Sequence, residues 1–335
     1  MPHDDERQPM TVGDVESLHS VKDHPSKIFS NRSVRKVALG VVLLLVFMFV
    51  LAKTNSRSKP LTAAQSPHQL AETLIYLDPQ TRASLVSLPK YFVTFADSKY
   101  AGTRKRICQQ ATDQTIDNKP FFTKVFCNSE DDLSPEFLAK HKHFIDTHKR
   151  GYGYWIWKSD VVLTALKQAP EGAAIVFADA GCTLNQEGMP RLLEYIKLAQ
   201  NADLNILGLH LEDFHQVGTW TKLVTLISLE VNDEELKKAQ IAGGIFVAIK
   251  NEKTVKFFET FQKLETSRNY TLVDDSKAPF GIQELPQFRA HRHDQSIWTV
   301  LLYRGKAAVI PDESWFSGKG EWPKKYPIHA TRTKY

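Results

Sequence analysis

Cysteine is scarce in this chain: three among 335 residues, Cys108, Cys127 and Cys182. None falls into a C-x-x-C or related spacing, which excludes a cysteine-built zinc module. Cys108 and Cys127 either pair in an oxidising lumen or stay as buried thiols, and both readings stand at this point. Cys182 has no histidine or other base near it in sequence to activate a thiolate, so it reads as structural. A dense basic block with interleaved aromatics is also lacking, and the formal net charge is only +5, which sets nucleic-acid binding aside. No internal repeat occurs. With 42% hydrophobic and 24% charged residues, the sequence suits one globular domain plus extensions.

Charge is absent altogether from Val37 to Ala52, sixteen residues long. That is short of the roughly 20 residues that span a typical bilayer, yet it has no polar face of the kind a buried core helix shows. It starts too late for a cleaved signal peptide, and no small-x-small site follows it. An uncleaved signal anchor is the expectation, its shortness suiting the thinner membranes of the early secretory pathway, ER or Golgi. Lys22, Lys27, Arg32, Arg35 and Lys36 precede it, against Lys53, Arg57 and Lys59 after it. That bias places the N-terminus in the cytoplasm and the rest in the lumen, a single-pass type II arrangement. Residues 1–36 then form a disordered cytoplasmic tail, 37–52 the anchor, 53–88 a stem or linker whose part from Gln69 to Leu88 is expected to hold a short helix feeding the domain, and 89–335 the luminal domain. Asn269-Tyr270-Thr271 is a luminal sequon open to N-glycosylation, whereas Asn31-Arg32-Ser33 would lie on the cytoplasmic side.

Past the linker, apolar β-rich runs alternate with helical patterns. Strands are expected at 90–96, 121–127, 173–178, 204–209, 245–249 and 307–310. Helices are expected at 100–110, 134–148, 157–168, 190–199, 233–240, 252–264 and 293–303. Ser134-Pro135-Glu136 is a helix start with proline in the first turn. Such alternation predicts an α/β fold, a mostly parallel sheet flanked by helices.

Four blocks carry candidate chemistry. In GYGYWIWK, Tyr152, Tyr154, Trp155 and Trp157 crowd before Lys158, either as ring platforms and a phosphate-facing ammonium or as core aromatics with a snorkelling lysine. The strand 173–178 then delivers Asp179, followed by Ala180 and Gly181. An acid at the carboxyl end of a sheet strand presents charge to a ligand, or else caps the next turn. In AGGIFV, Gly243 and Gly244 before a strand permit close backbone approach, or form a plain turn. In HRHDQS, His291, Arg292, His293 and Asp294 bunch before a helix, where Asp294 either caps the helix or acts at an anion site. The C-terminal PIHATRTKY adds His329, Arg332 and Lys334, a polar tail or a basic closure of the site.

In this order the blocks resemble those of a GT-A fold nucleotide-sugar glycosyltransferase, with a motif order similar to families 8, 32 and 34. The resemblance covers about Tyr91 to Lys334. It implies a GT-A-like (Rossmann-like) sheet and transfer of a hexose from a nucleotide-diphosphate sugar donor to a glycan or glycoprotein acceptor. Asp294 and Asp179 would be catalytic. Asp179, Lys158, Arg292 and Arg332 would bind the donor, while Gly243, Gly244, Trp155 and His293 would face the acceptor. Such families show an Asp-x-Asp triplet, which here reads Asp179-Ala180-Gly181. Either Asp179 and His329 share a divalent cation, Mn²⁺ or Mg²⁺, or Asp179 binds ribose and no metal is needed. Two other classes stay open. One is a metal-dependent hydrolase built on His291, His293 and Asp294 with His210 and His215 in reserve. The other is an inactive, membrane-anchored glycan-binding module.

Overall fold

A computed structural model describes residues 77–277, 281–315 and 322–334. The expected tail at 1–36, the anchor at 37–52 and most of the linker lie outside the described residues. Among the described residues no helix is long and apolar enough to cross a membrane.

The folded unit starts earlier than residue 89. Helix α1 (Pro79–Ser87) buries Leu85 in the core, and Asp78 caps its start by accepting from the Thr81 amide at 2.9 Å. The buried Lys90 ammonium closes the other end by donating to the Leu85, Val86 and Leu88 carbonyls, where the last helical carbonyls lack intrahelical partners. The short helix expected within 69–88 is thus present from Pro79, and it packs on the domain.

Six strands form the central sheet: β1 (Lys90–Phe95), β2 (Lys124–Asn128), β3 (Ala174–Ala178), β4 (Ile206–His210), β5 (Ile241–Ile249) and β6 (Ala308–Pro311). Their order is β2-β1-β3-β5-β4-β6. All run the same way except β5, which is antiparallel to both β3 and β4. The helices between them are α2 (Ala101–Asp113), α3 (Pro135–Thr147), α4 (Trp157–Gln168), α5 (Met189–Asn201), α6 (Glu252–Glu265) and α7 (Asp294–Arg304). Strand β3 is AIVFA, buried at every residue. That unbroken apolar run is what a strand covered on both faces requires. Its side chains alternate: Ile175 and Phe177 face the layer of α3, α4, α6 and α7, while Ala174, Val176 and Ala178 face α1, α2 and α5. On α6, Phe257, Phe258 and Phe261 surround Trp298 of α7, and Phe258 and Trp298 pack onto Phe246 of β5. Val255 of α6 packs against the same cluster but is only partly buried.

Three expectations shift. Residues 233–240 hold only a short turn, Glu235–Lys237, in place of a helix. Phe121 and Phe122 precede β2 as buried loop residues. Strand β5 begins at Ile241, so Gly243 and Gly244 lie within the strand and not in a turn before it.

Reversal of β5 has a consequence for the site. The carboxyl ends of β1, β3, β4 and β6 and the beginning of β5 all fall on one edge of the sheet. Open α/β sheets bind ligands along that edge.

Candidate functional site

A cleft of about 910 Å³ opens along this edge. Its walls come from the segments after β1 (Phe95, Asp97), after β3 (Asp179 to Cys182), after β4 (Leu211 to His215) and after β6 (Asp312 to Trp315), together with the first residues of β5. Arg292, the loop 149–157 and the C-terminal segment 330–334 complete it.

Asp179 stands at the floor, half-buried. Its amide donates to the Gly244 carbonyl at 2.8 Å, which extends the β3–β5 pairing by one step. A Cβ on Gly244 would lie 2.5 Å from Asp179 Oδ2, so glycine is needed there to let the carboxylate lie against the strand. Burial pushes the Asp179 carboxyl up, and the Lys158 charge offsets part of that rise.

Lys158 and Asp294 lie one layer beneath. Neither lines the cleft. Both are buried and paired, Lys158 Nζ to Asp294 Oδ2 at 2.5 Å. A Cβ on Gly243 would sit 3.4 Å from that ammonium and 3.5 Å from that carboxylate, so the strand backbone roofs the pair. Burial would lower the Lys158 pKa, but Asp294 and Asp179 outweigh it and hold the group charged. Burial raises Asp294, with Lys158 pulling it back. The structure places both beneath the cleft floor and off its wall, so direct contact of Lys158 with a diphosphate is not what this arrangement offers, whereas an ammonium that orients an acid is. Capping is corrected, because the N-cap position of α7 is His293 and Asp294 is engaged by Lys158. Behind the pair, Glu265 is wholly buried with both oxygens unpartnered among the described residues. Burial and then Asp294 push its carboxyl well up, against the pull of Ser159 and Lys158.

The cleft walls are basic and aromatic. Arg292 lies 4.2 Å from the Trp220 ring centroid and Arg332 4.9 Å from that of Trp315. Neither forms an ion pair among the described residues, and the buried Arg292 Nε has no partner there. Burial lowers the Arg292 pKa, and the charges of Arg332 and Arg150 lower it further. Both charges therefore reach Arg292. Arg150 differs in being paired with Asp275 at 3.0 Å.

The aromatic loop adopts a conformation invisible in its composition. Gly151, Tyr152, Gly153, Tyr154 and Trp155 all have left-handed φ, between 53° and 82°. For the non-glycine members this costs about 1–2 kcal/mol each. Packing supports it: Tyr152 against Phe95, Tyr154 stacked on His293, Trp155 beside His293. A Cβ on Gly151 would come within 2.5 Å of the Trp155 ring, so that glycine seats the indole at the cleft wall. Trp157 also lines the cleft while stacking on Phe95 with centroids 4.0 Å apart.

Other expected residues separate. His293 is buried and absent from the cleft wall; its Nδ1 meets the Val273 carbonyl at 2.7 Å, and its Nε2 has no hydrogen-bond partner among the described residues but lies 4.0 Å from the Asp275 carboxylate. His291 bridges the Leu272 carbonyl at 2.9 Å and the Lys222 amide at 3.3 Å. With Asp294 taken by Lys158, the hydrolase ligand set is not free. Among the described residues no group of three or more His, Cys, Asp or Glu stands together to hold a metal. His329 does not line the cleft: it pairs with Thr183 in a short ribbon, its Nε2 lies 3.3 Å from the Pro323 carbonyl, and its ring stacks on Trp322. Cys108 and Cys127 are disulfide-bonded, with Cα atoms 5.9 Å apart, and Cys182 is a buried free thiol. Burial pushes that thiol far up, which makes it a poor nucleophile. Asn269 is exposed in a turn at Arg268–Tyr270. Sequence reasoning did not single out Glu265, Arg150 or Asp275. A lone acid or base in a polar run carries no signal until folding surrounds it.

No family model matches the sequence, and no curated protein matches it. Among solved structures, the chain is similar to the apo form of the bifunctional glycosyltransferase WbbM, at 11% identity and TM-score 0.39 over 68% of this chain. It spans only 40% of that chain. It is also similar to the apo form of mouse xyloside xylosyltransferase 1, at 9% identity and TM-score 0.42, covering 72% of this chain and 97% of that one.

Proposed function

We propose that this chain is a glycosyltransferase that moves a sugar, a hexose by the sequence resemblance, from a nucleotide-diphosphate donor to a hydroxyl of a glycan or glycoprotein. The observation that carries the reading is the convergence, in one cleft at the strand-end edge, of Asp179 with Arg292 and Arg332, neither of them ion-paired among the described residues. Two such guanidinium forks suit a doubly charged diphosphate, which they meet with paired N–H donors. As the bond from the anomeric carbon to the diphosphate oxygen breaks, the leaving group takes the electron pair, and fixed positive charge there favours that step. Asp179, an acceptor of hydrogen bonds when ionised, suits the hydroxyls of ribose or of the donor sugar. Lys158 and Asp294 hold the floor on which Asp179 and Gly243 rest. Trp155, Phe214 and Trp315 supply flat apolar walls for sugar rings.

The Cys108–Cys127 disulfide supports a setting in the oxidising lumen of the ER or Golgi, in keeping with the anchor expected at 37–52 and with the exposed sequon at Asn269. A panel of nucleotide sugars, each titrated into the full chain in detergent with thermal unfolding as readout, tests the proposal. One nucleotide family is expected to raise the unfolding temperature, and its sugar to appear on an added glycan acceptor. Stabilisation without any turnover would favour the glycan- or nucleotide-binding module instead. No stabilisation by any donor would refute the transferase reading.

A further inference from the structure

A divalent cation between an Asp-x-Asp pair and the diphosphate is what the resemblance implies, and the described residues do not supply its ligands. Asp179 is followed two residues later by Gly181; His329 is turned to the Pro323 carbonyl; Asp294 is engaged by Lys158. Where a second acid would stand, the C-terminal segment crosses instead. The Thr333 amide donates to the Gly181 carbonyl at 3.0 Å, and the Thr331 hydroxyl donates to the same oxygen at 3.1 Å. A Cβ on Gly181 would lie 3.5 Å from the Arg332 Cα. The Thr183 and Thr331 hydroxyls meet at 2.9 Å, and the Ala330 amide reaches the Ser314 carbonyl at 2.7 Å, so the segment is tied down on two sides. Arg332 itself has φ of 52°, a conformation that non-glycine residues hold only when their surroundings impose it. Its guanidinium lies over Trp315, in the same cleft as Arg292.

We propose that the donor diphosphate is held without a divalent cation, by the guanidinium groups of Arg292 and Arg332, the second carried onto the Asp179–Gly181 loop by the C-terminal segment. This rests on the transferase reading above. Two like charges face one cleft, neither of them ion-paired among the described residues, and a doubly charged anion placed there removes their repulsion. The Arg292 Nε, buried and unpartnered, is an N–H donor awaiting an acceptor. A cation added beside these groups would meet the charges of Arg292 and Arg332, while the acids that line the cleft, Asp97, Asp179, Glu212 and Asp312, nowhere gather with other ligands in a group of three among the described residues.

Calorimetric titration of UDP and of GDP into the full chain in detergent, once in EDTA and once in Mn²⁺, decides the matter. Electron spin resonance of Mn²⁺ adds a direct reading of metal uptake. One nucleoside diphosphate is expected to bind with affinities that differ by less than about threefold between the two conditions, and the free-Mn²⁺ signal is expected to persist. Arg332→Ala is expected to weaken binding about tenfold or more in both conditions, since a hydrogen bond to a charged group is lost. Arg332→Lys keeps the charge without the fork and is expected to fall between; it also serves if the alanine variant does not fold. Binding that disappears in EDTA and returns with Mn²⁺ would overturn the cation-free site while leaving the transferase reading intact. Unchanged affinity in both Arg332 variants would overturn it as well. A folded protein that binds neither nucleotide in either condition would overturn both.

Discussion

Replacing Asp294 by Asn leaves the Lys158 ammonium buried beneath β5 with its nearest counter-charge gone. Lys158 and Asp294 are 3% and 4% exposed, so solvent cannot take over the lost role. Removing one partner of a buried pair costs about 3–5 kcal/mol, because the remaining charge stays desolvated. Here Asp179 still faces Lys158, which places the expectation at the lower end of that range. For a domain of this size each kcal/mol lowers the unfolding temperature by about 2–4 °C, so a fall of roughly 6–12 °C is expected. Replacing both partners by apolar residues, Lys158→Met with Asp294→Leu, removes the stranded charge and is expected to recover most of the loss. Urea unfolding followed by tryptophan fluorescence on wild type, both single variants and the double variant yields the coupling energy of the pair. The same samples, titrated with donor nucleotide, are expected to show weaker binding in the double variant despite its recovered stability, because Asp179 loses the charge that offsets its burial. Two results would refute this reasoning: an Asp294→Asn cost below about 1 kcal/mol, or a double variant no more stable than the worse single one.

Gly244→Ala sets a Cβ 2.5 Å from Asp179 Oδ2, so the carboxylate or the strand must move. Donor-nucleotide affinity should fall about tenfold or more, with a stability cost of about 1–3 kcal/mol, measured by calorimetry and urea unfolding. Glu265 holds a proton in the folded chain at pH values where the unfolded chain has lost it, so stability should decline as pH rises above the ordinary glutamate value of 4.5. The slope is about 1.4 kcal/mol per pH unit until the folded group itself ionises, and Glu265→Gln should abolish it in unfolding curves taken from pH 5 to 8. Reduction of the Cys108–Cys127 bridge, which closes a separation of 19 residues, should cost about 3 kcal/mol, read as a lower unfolding temperature in dithiothreitol.

Much of the framework was legible because it depends on local pattern. The apolar run before Asp179 reads as a doubly covered strand, and β3 is buried throughout. Ser134-Pro135 reads as a helix start, and the Ser134 hydroxyl accepts from the Phe137 amide at 3.2 Å. Helix 157–168 appears with its expected bounds. Failures fall where long-range pairing overrides local preference. Gly243 and Gly244 look like a turn, yet β5 continues through them because β3 and β4 flank it and Asp179 needs the space. Residues 233–240 have a helical composition but make only a turn, Glu235 there pairing with Arg304 of α7.

Residue type and spacing alone carry the α/β alternation, the acid at the end of β3 and the basic residues near the C-terminus, since strand burial and helix starts are local properties. Which charges meet is set by the packing of distant segments. Lys158 and Asp294 are 136 residues apart, and their pairing beneath Gly243 takes both away from the cleft. Arg332 reaches the loop after β3 because two threonines bond to the Gly181 carbonyl across some 150 residues of chain. Such contacts depend on the packing of distant elements, and no local period or motif encodes them.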